Sequence, residues 1–280
     1  MAAQREKAKA STVDQLSRIP VRTRYFDDFL LRCLQGKEQG AASNEPLPRQ
    51  VVLLGAGLDM RAYRLRVPRE VAFYELDLPV VMEYKLKILR SEFADRKPYC
   101  VVKYVPSDLC KDWKRDLLAA GFNPRQSSVW LLEGLTYYLD EATCRRLFQD
   151  MRSLTPAGRA SWMCASFVKE ALVRKLRAQS SSSSSATSRG SGESSESARP
   201  IADAQRLSRQ ASENAAGAAL RTSSSRKWPP FVFGTDDPEK FLKPLGFYVT
   251  SVACLGDAEA NYGRFAAPFR HTMYVTAFAG

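Results

Sequence analysis

Seven short apolar segments recur along the chain and alternate with stretches of helical periodicity. This alternation predicts a mostly parallel β-sheet that is covered by helices on both faces. Because parallel strands present their carboxyl ends at one edge of the sheet, a ligand is expected to bind along that edge. The predicted strands cover residues 50–54, 71–76, 100–105, 128–132, 160–167, 247–254 and 271–278.

Several of the predicted helices carry end signals. Pro79 suits the first turn of a helix, and Asp140 is a favourable N-cap for the helix that follows it. Asp236 and Glu239 have the spacing of a capping box, so we expect Asp236 to cap a helix that ends at Gly246.

A serine-rich segment interrupts this pattern. Residues 179–200 have almost no apolar side chains, so they cannot bury enough surface to offset the entropy lost on ordering. The whole chain is 45% hydrophobic, which suffices for one large core. We therefore expect a single domain over residues 1–280, interrupted by a low-complexity insertion at about 178–226.

The net charge of +12 raises the question of nucleic-acid binding. Between Arg174 and Lys227 the chain has ten Lys or Arg and four Asp or Glu, so half of the excess charge lies within or beside the serine-rich insertion. A basic face interleaved with aromatic residues is not visible elsewhere. We expect a small-molecule substrate and no nucleic acid. The sequence carries no signal of oligomeric state.

Cysteine and histidine usage argues against a metal site. The six cysteines are ten or more positions apart, so there is no Cys-x-x-Cys pair, and we expect free thiols in a reducing compartment. His271 is the single histidine, and its apolar surroundings predict a structural strand position. We predict no bound metal.

The chain also carries no membrane or export signal. No apolar run approaches the roughly 18 residues that cross a bilayer, and the first twenty residues have no apolar core of a secretion signal. We expect no membrane association and a cytoplasmic location. A transit peptide is the less favoured alternative, because Glu6 and Asp14 accompany the basic residues.

The first predicted strand ends in a glycine turn, Gly55-Ala56-Gly57, within the segment QVVLLGAGLDM. Glycine permits positive φ and allows a ligand to approach the backbone closely, and such a turn commonly holds part of a nucleotide. A dinucleotide site needs a third small residue where Met60 stands. The turn therefore favours a nucleotide-like ligand over a dinucleotide.

Acidic residues end the next three predicted strands. Asp77 can accept both hydroxyls of a ribose, with Glu75 on the same strand face as the alternative. Asp108 can accept from an exocyclic amine, and the Leu109 amide can donate to a ring nitrogen. Glu133 ends the fourth strand. These carboxylates would repel a pyrophosphate and favour a ligand with ribose, adenine and a positive centre, such as S-adenosylmethionine.

Six motifs follow one another in a characteristic order: RTRYFDDFL, VVLLGAGLDMRAYRL, YELDLP, SDL, VWLLEGLTYYLDEA and PFVFGTDDPEKFLKPLGF. Over roughly residues 20–170 and 228–278 the chain resembles the leucine carboxyl methyltransferase-like family of S-adenosylmethionine-dependent O-methyltransferases, which includes many bacterial members of unassigned substrate. The resemblance implies an α/β fold of the Rossmann-like class I methyltransferase type, with a mostly parallel seven-stranded sheet and helices on both faces.

The resemblance also implies which residues bind the cofactor. Glu133 would lie near the methionine moiety, and Arg22, with Arg24 as the rival, would bind the cofactor carboxylate. The implied set in chain order is Arg22, Gly55, Gly57, Asp77, Asp108, Leu109 and Glu133.

The methyl acceptor is predicted to be a carboxylate or a hydroxyl of a small molecule. A carboxylate is ionised at neutral pH and needs no general base, which agrees with a chain that has one histidine. Since a sulfonium methyl is already activated, the protein has to align the reactants and exclude water. Candidate residues for orienting the substrate are Arg61, Tyr137 and Arg264.

Two alternatives stay open. The first is a protein methyltransferase that acts on the C-terminal leucine carboxylate of a phosphatase subunit, which is less favoured because RTRYFDDF and EGLTYYL follow the bacterial pattern. The second is a non-catalytic cofactor-binding or interaction protein, because only about twenty residues precede the Arg-Thr-Arg stretch.

Overall fold

The structure of the protein is a computed structural model, which describes residues 2–39, 46–184, 231–265 and 269–280. Within these residues seven strands form one sheet, and all seven predicted strands are confirmed to within two residues at either end. The strands are β1 (Gln50–Leu54), β2 (Ala72–Asp77), β3 (Val101–Pro106), β4 (Ser128–Leu132), β5 (Ser161–Val168), β6 (Tyr248–Leu255) and β7 (Phe269–Ala279).

The strand order in the sheet is β3-β2-β1-β4-β5-β7-β6. Strands β1 to β5 are mutually parallel, and β7 pairs antiparallel with both β5 and β6. Strand β6 consequently runs in the direction of β1 to β5, so its carboxyl end lies at the same edge of the sheet. The chain changes direction across the sheet at β1, between β2 and β4, which is the point where ligands of such folds bind. This is the Rossmann-like, mostly parallel sheet that was predicted.

The helices occupy the connections between strands. Pro79 begins a helix as predicted, and the Asp140 carboxylate accepts a hydrogen bond of 2.7 Å from the Thr143 amide, which confirms it as an N-cap. The described helices are α1 (Ala2–Leu34), α2 (Arg61–Arg64), α3 (Pro79–Glu92), α4 (Trp113–Ala119), α5 (Glu141–Ser153), α6 (Glu170–Ser184) and α7 (Pro238–Leu242), with 3₁₀ turns at Thr136–Tyr138, Lys243–Leu245 and Ala258–Ala260.

Part of the predicted insertion can be compared with the structure. Its first residues, 178–184, belong to helix α6. The rest of the insertion lies outside the described residues. The structure describes the chain again from residue 231 onward.

Alternate residues of the central strands feed two separate apolar layers. On β1, Val52 and Leu54 belong to the layer that contains α4, α5 and α7, whereas Val51 and Leu53 belong to the layer that contains α1 and α2. Because β1, β4 and β5 are buried along their whole length, their sequences are nearly continuous apolar runs instead of alternating ones.

Helix α1 packs one apolar stripe on the sheet. Its buried residues recur at helical spacing, so they share a face; they are Val21, Tyr25, Phe26, Phe29, Leu30, Cys33 and Leu34. The rings of Tyr25 and Phe26 lie 5.0 and 6.0 Å from the ring of Tyr274 on β7. This packing holds the polar side chains of α1 that follow Ile19 at the carboxyl edge of the sheet.

The N-cap of α7 is Asp237, and the prediction of Asp236 was wrong by one residue. The Asp237 carboxylate accepts a hydrogen bond of 2.9 Å from the Lys240 amide, and Pro238 occupies the first helical position. A proline is favourable there because that position has no partner for an amide proton, so the cap has to be the residue immediately before it. Gly246, at φ 83°, ends the 3₁₀ turn that continues α7, as expected.

We expect Asp237→Ala to lower the free energy of unfolding by about 1 kcal/mol, because the Lys240 amide loses its acceptor. Asp236→Ala is the matched control, since it changes an equally exposed acid one position away that caps nothing. Urea denaturation of both variants measures the difference. Equal stability of the two variants would contradict the assignment of the cap.

Candidate functional site

A cleft of about 440 Å³ lies at the carboxyl ends of β1 and β4. Its volume falls in the range of roughly 300–1,000 Å³ that is usual for small-molecule sites. Helix α1, the segment after β1 and the end of β4 line it; the lining residues are Ile19, Arg22, Thr23, residues 53–61, Arg64, Leu131 and Glu133. Four residues predicted to bind a cofactor, Arg22, Gly55, Gly57 and Glu133, thus come together in one cleft.

The glycine turn has two glycines with different reasons for lacking a side chain. Both have positive φ, 71° at Gly55 and 50° at Gly57. A β-carbon at Gly55 would lie 3.1 Å from the Leu135 side chain, whereas one at Gly57 would meet nothing within 4 Å. Gly55 therefore allows close packing, and Gly57 leaves space beside the backbone that a ligand can occupy.

Asp77 ties this turn to β2. Its two carboxylate oxygens accept hydrogen bonds of 2.7 Å each, from the Gly57 amide and from the Leu78 amide. Burial raises the pKa of Asp77, although these two amides oppose the shift. Each carboxylate oxygen can accept a second bond, so Asp77 holds the turn and still has acceptor capacity for a ligand.

Glu75, the alternative to Asp77, is fully buried and lies outside the cleft lining. Its carboxylate forms an ion pair with the buried Lys85 ammonium of α3. Burial raises the pKa of Glu75 to about 7, against the opposing effect of Lys85. Since Glu75 already has a buried partner, the geometry favours Asp77 of the two.

Asp108 and Leu109 lie at the carboxyl end of β3 but do not line the cleft. The Asp108 carboxylate accepts a hydrogen bond of 2.9 Å from the Cys110 amide, and Leu109 is buried. Among the described residues, none accepts a hydrogen bond from the Leu109 amide. The predicted contact of this pair with adenine stays a prediction.

Arg22 reaches across from α1 to the end of β4. Its Nε donates to the Glu133 carboxylate at 2.9 Å, and its Nη1 donates to the Tyr137 hydroxyl at 3.3 Å. Gly134 makes this approach possible, because a β-carbon there would lie 3.1 Å from Arg22 Nη1. Its rival Arg24 is exposed, binds Asp28 and does not line the cleft. Of the two arginines, the geometry favours Arg22.

Arg61 is buried in a network of carboxylates. Its guanidinium donates to Asp27 at 2.7 Å and also to Asp59 and Glu133. Burial would lower the pKa of Arg61, but the three carboxylates outweigh burial and raise it. Because its donors are bound to acids of the chain itself, this arrangement favours a structural role for Arg61 over the predicted orientation of a substrate.

Glu133 links the two arginines. It accepts from Arg22 and Arg61 and also from the Thr23 hydroxyl at 3.3 Å. Burial would raise the pKa of Glu133, but the Arg61 and Arg22 guanidiniums outweigh burial and hold the pKa below its usual value. Glu133 is therefore a carboxylate at neutral pH.

With Arg64, which binds Asp27, this network contains three arginines and three carboxylates. The positive and negative charges therefore cancel within this cluster, so the cluster adds no net charge to the wall of the cleft. We call these six residues the arginine–carboxylate network: Arg22, Asp27, Asp59, Arg61, Arg64 and Glu133.

The other two candidates for orienting a substrate are not brought into the cleft. Tyr137 is buried, with its ring 4.8 Å from that of Tyr138 and 4.4 Å from that of Phe231. Arg264 is exposed in the loop between β6 and β7, where its amide donates to the Asn261 side chain at 2.9 Å. Their predicted roles stay predictions.

Sequence reasoning missed Thr23, Asp27 and Asp59 as parts of this site. All three lie within motifs that were recognised, RTRYFDDFL and GLDMRAYRL, but no partner was assigned to them. The short spacing of Asp59 and Arg61 was the available signal, since the Arg61 amide donates to the Asp59 carboxylate at 2.7 Å.

The cysteines, the single histidine and the helices bear on the predictions about thiols, metals and membranes. All six cysteines are free thiols, and His271 lies at an exposed position of β7, which confirms the predicted strand. In the described part of the chain, no three His, Cys, Asp or Glu side chains are grouped as a metal would require. None of the helices that the structure describes has the length and apolarity needed to cross a membrane.

Comparison with known protein families finds that residues 1–152 match the leucine carboxyl methyltransferase family. The chain belongs to this family.

Among its relatives, a protein of Mycobacterium marinum, whose name assigns it to the S-adenosyl-L-methionine-dependent methyltransferases, is 41% identical over 169 residues, which are 59% of this chain and 49% of that protein. A protein of Mycobacterium tuberculosis H37Rv with the same assignment is 42% identical over 138 residues, which are 49% of this chain and 40% of that protein. The chain spans about half the length of these curated relatives.

A solved structure supports the fold of this leucine carboxyl methyltransferase family member. A DUF574 family protein from Streptomyces avermitilis aligns with a TM-score of 0.56 over 98% of this chain and 88% of that chain, at 13% identity. At that identity the likeness concerns the fold alone.

We expect Glu133→Gln to destabilise the protein by about 3 kcal/mol at pH 7, because Arg61 loses one of its buried partners. The folded pKa of Glu133 is below its usual 4.5, so its stabilising effect is complete above that pH and is lost as the pH falls through the folded pKa. The stability gap between wild type and variant should therefore shrink in acid.

Urea denaturation between pH 7 and pH 3 measures this gap. Glu141→Gln is the control, because Glu141 forms an exposed ion pair with Arg145 that contributes about 0.5 kcal/mol or less. A gap for Glu133→Gln that stays constant down to pH 3 would show that the ionised carboxylate is not the source of the stability.

Proposed function

We propose that the protein is an S-adenosylmethionine-dependent O-methyltransferase that methylates a carboxylate or hydroxyl of a small molecule. The observation that carries the proposal is the cleft at the switch point of the sheet, where an open glycine turn lies beside the Arg22–Glu133 pair. Membership of the leucine carboxyl methyltransferase family and the names of the relatives support it.

The charges of the cleft fit an amino-acid headgroup better than a pyrophosphate. Arg22 and Glu133 present a cation and an anion 2.9 Å apart, which can pair with the carboxylate and the ammonium of such a group. The arginine–carboxylate network is balanced, so a zwitterion adds no net charge to it. A pyrophosphate would instead add two negative charges that the balanced network does not compensate.

The remaining cofactor contacts follow from the strand ends. Gly55 and Gly57 form the turn that the cofactor approaches, and Asp77 accepts the ribose hydroxyls. Asp108 and the Leu109 amide recognise the adenine. When bound, S-adenosylmethionine supplies an activated methyl group on its sulfonium.

Methyl transfer requires the protein to position the acceptor and to remove water from it. No base is required for a carboxylate acceptor, since it is ionised at neutral pH. The aromatic side chains of Tyr137, Tyr138 and Phe231 pack together next to Arg22, where they exclude water from the end of β4. Tyr137 is buried and outside the cleft lining, but it is the member of this group that we assign to the acceptor site, because its hydroxyl accepts from Arg22 of the cleft.

A second candidate function is transfer to the C-terminal leucine carboxylate of a protein phosphatase subunit. The name of the matched family, leucine carboxyl methyltransferase, favours this second function, because it specifies a leucine carboxyl group as the acceptor. Incubation with labelled S-adenosylmethionine, a phosphatase catalytic subunit and a panel of small acids separates the two functions by which molecule gains the label. Cofactor binding with label on neither class would favour a non-catalytic protein.

We expect S-adenosylmethionine to bind with a Kd on the order of micromolar, about −8 kcal/mol, and NAD not to bind measurably. The reason is the set of carboxylates around the turn and Met60 in place of a third small residue. Isothermal titration calorimetry with both ligands measures this. Tighter binding of NAD than of S-adenosylmethionine would overturn the choice of cofactor.

We expect Asp77→Ala to weaken S-adenosylmethionine binding by about 2 kcal/mol, because charge-assisted hydrogen bonds to the ribose are lost. Asp77→Asn should have a smaller effect, since the amide oxygen still accepts. Glu75→Gln is the control: it should lower stability, because Lys85 loses its charged partner, and change affinity less than Asp77→Ala. The opposite order of affinities would assign the ribose contact to Glu75.

A further inference from the structure

Arg18 lies one helical turn before Arg22 on α1, so the two side chains share a face of the helix about 6 Å apart along its axis. Ile19, Arg22 and Thr23 line the cleft. Farther along the helix Phe26 contacts Tyr274, whereas Arg18 contacts Phe269 at the beginning of β7. Arg18 is therefore at the carboxyl edge of the sheet, at the rim of the cleft on the side of β5 and β7.

The Arg18 guanidinium is held in place by an aromatic ring. Its Cζ lies 3.8 Å from the centroid of the Phe269 ring, which is a close cation–π contact. When the planar face of a guanidinium stacks on an aromatic ring, its N–H donors point outward in the guanidinium plane. These donors can still form hydrogen bonds with a ligand. Phe269 thus orients Arg18 without using its hydrogen bonds.

Arg18 differs from the cleft arginines in having no acid to pair with. Arg22, Arg61 and Arg64 each bind a carboxylate, whereas no described carboxylate pairs with Arg18. Its Nε is buried and has no hydrogen-bond partner among the described residues. A buried donor without an acceptor costs about 1–3 kcal/mol, so an acceptor supplied by a ligand would remove that cost.

The Phe269 ring that contacts Arg18 has a second aromatic ring beside it, that of His271, with the two ring centroids 5.9 Å apart. Two basic residues lie at this edge of the sheet: Lys169 directly follows β5 and its amide donates to the His271 carbonyl at 3.0 Å, and Arg270 follows Phe269 on β7. The aromatic group of Tyr137, Tyr138 and Phe231 adjoins Arg22, whose Nη1 donates to the Tyr137 hydroxyl. Such a rim suits an acceptor that combines a negative charge with an apolar or aromatic body.

We propose that Arg18 is a specificity-determining residue that binds the carboxylate of the methyl acceptor, which makes the acceptor a small carboxylic acid rather than an alcohol. This inference rests on the proposed methyltransferase function and narrows its substrate class. The acceptor carboxylate pairs with the in-plane donors of Arg18, an arrangement in which arginine binds carboxylates through two hydrogen bonds.

The transfer balances without a base. A carboxylate oxygen forms the bond to the methyl carbon, the carbon–sulfur bond breaks, and its electron pair stays on sulfur, so that a sulfonium becomes a thioether and no proton moves. The resulting methyl ester is neutral. It loses the charge-assisted contact with Arg18, which favours release of the product.

The test uses the full chain, labelled S-adenosylmethionine, and a panel of small acids with their matching alcohols, represented by 3-phenylpropionate and 3-phenylpropanol. The variants are Arg18→Met, which removes the charge but keeps an apolar stem, and Arg18→Lys, which keeps the charge but loses the planar fork. Arg90→Met, at an exposed position of α3 outside the cleft, is the control. Calorimetry reports cofactor affinity separately from turnover.

We expect the wild type to methylate acids in preference to alcohols. Arg18→Met should raise KM for the acid at least tenfold, with kcat and S-adenosylmethionine affinity changed less than twofold. The KM of Arg18→Lys for the acid should lie between those of wild type and Arg18→Met. The KM of Arg90→Met should equal that of wild type. If no panel member is turned over, ligand-observed NMR of 3-phenylpropionate with protein saturated with S-adenosylhomocysteine applies the same comparison to binding.

Several results would overturn the proposal. A KM, or NMR-detected binding, that Arg18→Met leaves within twofold of wild type would exclude the carboxylate contact, and so would a preference for the alcohols. In both cases, if S-adenosylmethionine still binds, the proposed methyltransferase function would remain supported although the role of Arg18 would not. A wild-type chain that binds no S-adenosylmethionine would instead refute the proposed function, and this inference with it.

Discussion

The guanidinium of Arg61 is the interaction on which the candidate site depends. It is almost fully buried and bound by three carboxylates that come from helix α1, from the segment after β1 and from the end of β4. A buried charge of this kind is stable only when its hydrogen bonds are satisfied. The three segments must therefore meet at one point for any of them to be stable there, and the cleft is the space that remains beside that point.

The same requirement explains why Arg22 and Glu133 are in position before a ligand arrives. Glu133 is shared by Arg22 and Arg61, so the structural part of the network orients the part that faces the cleft. Gly134 keeps the space that Arg22 needs, and Asp77 holds the glycine turn from the other side. A site that is already ordered loses less conformational entropy when it binds a ligand. The geometry of the site is thus set by contacts within the protein itself.

The sequence predicted the elements of this fold far better than the contacts between them. Buried parallel strands are continuous apolar runs, and signals such as Pro79 and Asp140 act over three or four residues, so both can be recognised locally. Asp236 and Asp237 are adjacent acids, and only the position of Pro238 decides between them. Two of the three partners of Arg61, Asp27 and Glu133, by contrast lie 34 and 72 residues away along the chain. No local pattern contains that information, which is why Arg61 was assigned to a substrate and Asp27 to nothing.

The packing of helix α1 has a consequence for biosynthesis. Tyr25 and Phe26 contact Tyr274, so the first helix of the described chain packs against its last strand. While the polypeptide is being synthesised, the glycine turn and every strand-end acid emerge before β7 does. The apolar stripe of α1 has to remain without its partner strand during that interval, in a state that is prone to aggregation. Helix α1, which forms one wall of the cleft, thus gains this packing only after β7 has been synthesised, and a chain cut short before residue 269 would contain all the cofactor motifs but lack the strand against which α1 packs.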